Sequence, residues 1–330
     1  MPPNSLDIPT TPNCLCILTR RYYLTEPALE YALRRIGIVP DAKAWRHFLD
    51  KMLLFLGVTT LLAGIIFFFA FNWADMNRFE KFGLLQVGIL GTAVFASLRG
   101  LEHLSGQAAL LAAAVLVGAL LAVYGQTYQT GADNFTLFLI WAILIIPWVL
   151  MGAFAPLWFL LLVLFNLSLI LYWEQVIDSR QYGGETALFL LLFLLNGVAM
   201  TVWEYTYRQS VTWLKGYWLG VVIFCAALTI IMIPTLEAII EFRHFRANSL
   251  LPIAALLYLG LTAFCLWYYS RQRHDLLLLA VCLLGVIIAL TTFIVKLLPI
   301  NALTLLVIAL AIIGQAYLAT KWLLHIAKEA

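Results

Sequence analysis

The 330-residue chain is 64% hydrophobic and only 11% charged, and its mean hydropathy is strongly positive. No water-exposed surface could hide that much apolar side chain, so a soluble globule is excluded. A formal charge of +3, with Lys and Arg dispersed along the chain, lacks the concentrated basic face of a nucleic-acid binder.

A hydrocarbon core about 30 Å thick needs roughly 20 apolar residues per helical span. The apolar runs are continuous and rich in Leu, Ile and Ala, which excludes an alternating β-barrel. The expected fold is therefore all-α, a polytopic membrane bundle of about ten transmembrane helices behind a short N-terminal cytoplasmic or interfacial helical segment. In chain order, 1–51 is a cytoplasmic tail with amphipathic helices, 52–153 carries the first four spans, and 154–330 carries six more and a short C-terminal tail.

The first 23 residues are rich in Pro, Thr and Asn and read as a tail. They show neither a basic-then-apolar signal peptide nor a lipidation motif, which leaves the first span as the targeting signal. Thr25 suits the N-cap of a short helix with Glu26 and Pro27 in its first turn, Arg34 and Arg35 in its last and Gly37 beyond. Asp41 starts a second helix in which Trp45, Phe48, Leu49 and Met52 share one side, and the pattern predicts a helix lying on the membrane surface before span 1.

The spans are expected at 52–73, 80–98, 107–126, 135–153, 156–173, 186–205, 216–236, 250–269, 275–295 and 301–323. Of the Lys and Arg residues, 14 fall on the N-terminal side of the membrane and 6 on the other, which puts both termini in the cytoplasm. Stripes of small residues, Gly57/Thr60/Gly64, Gly88/Thr92/Ala96 and Ala114/Gly118/Ala122, predict a tight sub-bundle of spans 1 to 3. Later spans are bulkier and are expected to face more lipid. The tight hinge from Gly152 to Pro156 makes spans 4 and 5 antiparallel neighbours.

Two stretches carry more hydrogen-bonding chemistry than a helix exit needs: GIIFFFAFNWADMNRFEKF (64–82) and YGQTYQTGADN (124–134). Under the expected topology they meet at the outer face, so Asn72, Asp75, Gln126, Tyr128, Gln129 and Asp133 form the candidate polar site, with Asn72 and Gln126 in one contact between spans 1 and 3. Glu237, Glu241 and Lys296 are secondary candidates on the same face. Each has a plainer role. Asn77 with Glu80 has capping-box spacing, Asp133 can cap span 4, and Pro234 can end span 7 near Leu236 and leave Glu237 at the interface.

The segment FFFAFNW, its charged turn and the re-entry at Lys81 and Phe82, GQTYQTGAD, and Trp141, Pro147 and Trp148 together resemble a family. It is the group of bacterial predicted membrane proteins known as domain-of-unknown-function family twenty-one fifty-seven. The resemblance covers about residues 25–150 and departs at Phe71, where Tyr is common in the family. It implies a bacterial inner-membrane protein and carries no activity with it.

Enzyme chemistry has little support: the five histidines are dispersed, and HExxH, GxSxG and P-loop motifs are missing. Cys14, Cys16, Cys225, Cys265 and Cys282 include no CxxC pair, so neither a metal site nor a cofactor is expected. The expected function is a membrane scaffold or accessory subunit working in the lipid bilayer with an envelope protein partner and no nucleic acid. The alternative is a transporter or channel for a small polar solute or cation, using a polar extracytoplasmic vestibule.

Overall fold

The computed structural model describes residues 25–35, 42–71, 76–128, 133–177, 184–209, 217–241, 250–273, 275–299 and 301–329. In lipid every backbone amide must find its partner within its own segment, and these apolar runs accordingly form helices. They are α1 (Glu26–Arg35), α2 (Ala42–Phe71), α3 (Arg78–Arg99), α4 (Leu104–Tyr128), α5 (Asn134–Gly152), α6 (Ala155–Val176), α7 (Gly184–Arg208), α8 (Tyr217–Ile240), α9 (Leu250–Tyr268), α10 (Leu276–Leu297) and α11 (Ala302–Glu329). A short π-helical segment, Tyr269–Arg273, continues α9. Among the described residues ten helices, α2 to α11, are long and apolar enough to cross a membrane. The protein is thus an all-α, polytopic membrane bundle.

The chain divides into two units, residues 1–76 with α1 and α2, and residues 77–330 with α3 to α11. In the first unit, the surface helix expected from Asp41 and span 1 prove to be one unbroken 30-residue helix. Nothing between Trp45 and Met52 breaks a helix, since neither Gly nor Pro occurs there. At 1.5 Å per residue α2 is about 45 Å long. It is therefore longer than a hydrocarbon core of about 30 Å, and its amphipathic N-terminal turns continue the span as one helix.

In the second unit, α3 starts with the capping box expected from the sequence: the Asn77 N–H donates to Glu80 Oε2 (2.9 Å) and Asn77 Oδ1 accepts from the Phe79 N–H (3.5 Å). It ends at Gly100, whose φ of +80° suits glycine, and whose N–H returns to the Ala96 carbonyl. A Cβ on Gly106 would run into the Gly100 carbonyl, so that glycine lets α4 begin directly on the turn and keeps α3 and α4 in close contact.

The small-residue stripes are used differently than expected. Gly88 does face α4, through Leu116. Gly118, however, makes room for the Trp141 indole of α5, whose Nε1 donates to the Ala114 carbonyl at 2.8 Å. That side of the span 3 stripe therefore seats a ring from span 4. The α5–α6 hinge turns through Ala153 in the left-handed region (φ 43°, ψ 43°), and the two helices pack as neighbours.

Two cores result. One lies among α3, α4, α5 and α6 around Ala114, Ile145, Val149 and Leu157. The other joins α8, α9 and α10 around Ile231, Ala254, Leu279 and Cys282, with Ile326 of α11. Between them Ala155, Trp203, Leu219 and Ile223 link α6, α7 and α8, and Gly220 is bare because Trp203 lies over it. The expectation that later spans face more lipid fails at α8, which packs on α7, α9 and α10 and has the largest buried share of any span in this unit. Its stripe of Ala, Cys and Thr among larger residues allows three neighbours to approach.

Candidate functional site

Of the candidates at the expected outer face, Asn72, Asp75 and Gln129 lie outside the described residues. Gln126 and Tyr128 are exposed in the last turn of α4, where the Tyr128 ring stacks on Phe82 of α3 (6.0 Å between centroids) and touches Tyr124 (4.8 Å). Asp133 is exposed at the N-cap position of α5, yet its side chain makes no capping bond there, and its backbone carbonyl accepts from the Thr136 N–H instead. The capping expected of that carboxylate is therefore not made.

Pro234 does not end span 7. α8 continues through it to Ile240, with Thr235 bonding back to the Ile231 carbonyl at 2.8 Å. A proline interrupts the ladder at only one amide and clashes with only one carbonyl, and flanking residues packed on three neighbours hold the helix together. Glu237 is consequently half-buried inside the final turns of α8 and not beyond its end. Glu241 and Glu185, the latter in the first turn of α7, are the charges that act on it. Lys296 is exposed in the last turn of α10. Among the described residues no side-chain hydrogen bond or ion pair joins Gln126, Tyr128, Asp133, Glu237, Glu241 and Lys296 to one another.

The strongest polar assembly lies at the opposite end of the bundle, where α7 and α9 finish. Glu204, near the end of α7, accepts from the Tyr268 hydroxyl (2.8 Å) and from Arg273 Nη1 (2.5 Å). The π-helical turn after Tyr268 brings Arg273 back toward α7, and its guanidinium lies over the rings of Tyr207 (4.5 Å) and Trp203 (5.3 Å). Asp275, which caps α10 by accepting from the Leu278 N–H, stands 3.8 Å from Arg273 Nε. The pair is mostly shielded, with 15% and 17% of the two side chains exposed. Beside it a cavity of about 370 Å³ opens between α7 and α9, with α8 as its floor.

A second assembly sits at mid-membrane. Asn196 of α7, 2% exposed, donates to Asn166 Oδ1 of α6 at 2.6 Å, and Asn166 returns the bond at 3.4 Å. The two amides also bond the Leu162 and Leu192 carbonyls one turn back, so each nitrogen is satisfied. Such a closed amide pair holds two helices in register.

Neither assembly was singled out by sequence reasoning, which counted Arg273 only as a loop cation. The signal was present. WEYTYR (203–208) and WYYSRQR (267–273) end two spans that exit on the same side, one offering an acid among aromatics and the other an arginine. Each asparagine stood alone in a Leu-rich run, FNLS and LLNG, where an unpartnered amide would be costly.

Comparison with known proteins gives one match: residues 18–158 fit the family described as predicted membrane protein (DUF2157). This agrees with the resemblance seen over residues 25–150, covers α1 to the start of α6, and leaves the Glu204–Arg273 assembly outside it. Neither a curated protein nor a solved structure matches the chain.

Proposed function

We propose that this protein is a membrane scaffold or accessory subunit of the bacterial inner membrane, with both termini in the cytoplasm, acting with a partner protein of the envelope. The observation that carries this reading is how its intramembrane polar groups are used: Asn166 with Asn196, and Glu204 with Arg273 and Tyr268, tie helix to helix. A structure of this kind presents a fixed surface, and its partner is expected at the ends of the bundle, where Gln126, Tyr128 and Asp133 are exposed. Asn72, Asp75 and Gln129 belong to the same proposed outer site on the sequence pattern alone.

A second reading, a transporter or channel for a small polar solute or cation, is supported by Glu237 lying within α8 three residues after Pro234, with Glu241 and Glu185 acting on it. Purification separates the two. A scaffold leaves the membrane in mild detergent with a specific, stoichiometric partner. A preparation that is pure, alone and able to move solute into liposomes would sink the scaffold reading and support the other.

A further inference from the structure

The cavity between α7 and α9 opens to the bilayer, because Tyr205 and Phe264 at its edge are both more than half exposed on the outer surface of the bundle. Gly197 keeps it open at mid-depth, since no atom lies within 4 Å of the position its Cβ would occupy. Its volume of about 370 Å³ falls in the range for small-molecule sites, about 300–1,000 Å³. Two side chains with chemistry of their own line it, Tyr269 and Cys265. Tyr269 is only 4% exposed, and its ring is held edge-on by Phe224 (5.8 Å) and Tyr268 (5.0 Å). Its hydroxyl makes no hydrogen bond among the described residues, whereas the neighbouring Tyr268 hydroxyl is taken by Glu204. A hydroxyl left unbonded in apolar surroundings is costly, so the cavity offers a donor to a ligand that brings an acceptor.

Cys265 has a partner behind it. It lies nine positions before residue 274 and Cys282 eight after it, and the chain turns back there between α9 and α10, so the two thiols stand at the same depth. They come within hydrogen-bonding reach of each other in the core of α8, α9 and α10, and are 5% and 0% exposed. Burial keeps water-borne oxidants from both, while the cavity gives a molecule dissolved in the bilayer an approach to Cys265. An oxidant that fits must be soluble in lipid, lie flat among Phe193, Phe224 and Phe264, accept a hydrogen bond, and take up two electrons with two protons. A quinone meets all four conditions. We propose that the cavity binds the ring of a lipid-soluble quinone, which oxidises Cys265 and Cys282 to a disulfide joining α9 to α10. Tyr269 donates to one quinone carbonyl. Both S–H bonds break and one S–S bond forms; the two electrons pass to the ring, the two protons go to its carbonyl oxygens, and the quinol returns to the bilayer. The α9–α10 hairpin then carries a covalent tie that records the oxidation state of the surrounding membrane.

The test uses the full chain, reduced and kept free of oxygen in quinone-free liposomes, with decylubiquinone as the probe. Peptide mapping after thiol alkylation should show Cys265 and Cys282 joined to each other, with quinol appearing in step with the disulfide. Ferricyanide, which stays in water, should oxidise this pair at least tenfold more slowly. Gly197→Phe, which fills the cavity, should slow oxidation by the quinone at least fivefold, while Leu256→Phe on the exposed side of α9 should leave it unchanged. Tyr269→Phe should raise the quinone concentration needed for half the maximal rate at least threefold and leave the maximal rate within twofold. The comparison of the two oxidants needs no substitution, so it decides the matter even if Gly197→Phe folds poorly. Thiols that stay reduced with decylubiquinone, equal rates with ferricyanide, a disulfide that takes in Cys225 instead, or an unchanged rate in folded Gly197→Phe would each overturn the proposal.

Discussion

Replacing Arg273 with Met removes the cation that holds α7 to α9, and the structure sets the size of the effect. A hydrogen bond to a charged group contributes about 1.5–3 kcal/mol, and each cation–π contact of a partly desolvated guanidinium adds about 0.5–1 kcal/mol. The contact with Asp275 at 3.8 Å is long and adds little. Breaking a fully buried pair costs about 3–5 kcal/mol because the remaining charge is left without compensation. Here both side chains keep a small exposed fraction, so water and headgroups relieve Glu204 and the loss should fall near the lower limit, about 3 kcal/mol. Glu204→Gln keeps an acceptor for Tyr268 while removing the charge, and should cost less, about 1.5–2 kcal/mol. Unfolding in mixed micelles of rising denaturing-detergent fraction would measure each, and the double variant closes the cycle. The double variant should be no less stable than Arg273→Met alone. Losses that add to within about 0.5 kcal/mol would mean that the two residues act independently, and the reasoning from their contact would be refuted.

Asn196→Leu should destabilise the bundle by about 0.6–2 kcal/mol, and Asn166→Leu in the same chain should add nothing further, by the same unfolding assay. Gly118→Val would push the Trp141 ring off α4 and break its bond to Ala114, with an expected loss of about 1–3 kcal/mol; Gly197→Val, where the space is open, should cost clearly less in the same measurement. Reporters fused after Ala330 and near Gly131 should give cytoplasmic and extracytoplasmic signals respectively, and the reverse pattern would invert the proposed topology.

The spans were legible because lipid imposes one requirement, an apolar run of sufficient length, and each run shows it directly. The Asn77–Glu80 cap was legible because it depends on four consecutive residues. Gly118 was recognised as a point of close approach but assigned the wrong neighbour, since a stripe of small residues states that something comes near and not what. The continuity of α2 was misread because its apolar face invited a functional boundary where the backbone has no reason to break. Glu204 and Arg273 were passed over for a different reason. Their pairing depends on α7 and α9 lying on adjacent sides of α8 and on a π-helical turn that redirects the arginine, and neither is written in local spacing. At the expected outer face the sequence pattern placed Gln126, Tyr128 and Asp133 at neighbouring helix ends, while the ring stack of Tyr128 on Phe82 required the fold.

The two polar pairs also differ in when their members meet during synthesis. Asn196 follows Asn166 by 30 residues, so when the deep amide of α7 enters the membrane its partner is already there. Glu204 precedes Arg273 by 69 residues, and Tyr268 by 64. At about 5–20 residues per second, the carboxylate waits about 3–14 s for its cation. During that interval the hairpin of α7 and α8 stands with one face of α8 uncovered and with Glu204 solvated only by what the membrane surface offers. Its place near the end of α7, and not at mid-span, is what makes the wait tolerable. The amide that lies deepest in hydrocarbon is thus the one whose partner is made first, and the carboxylate, which would cost still more there, is held within reach of water while it waits.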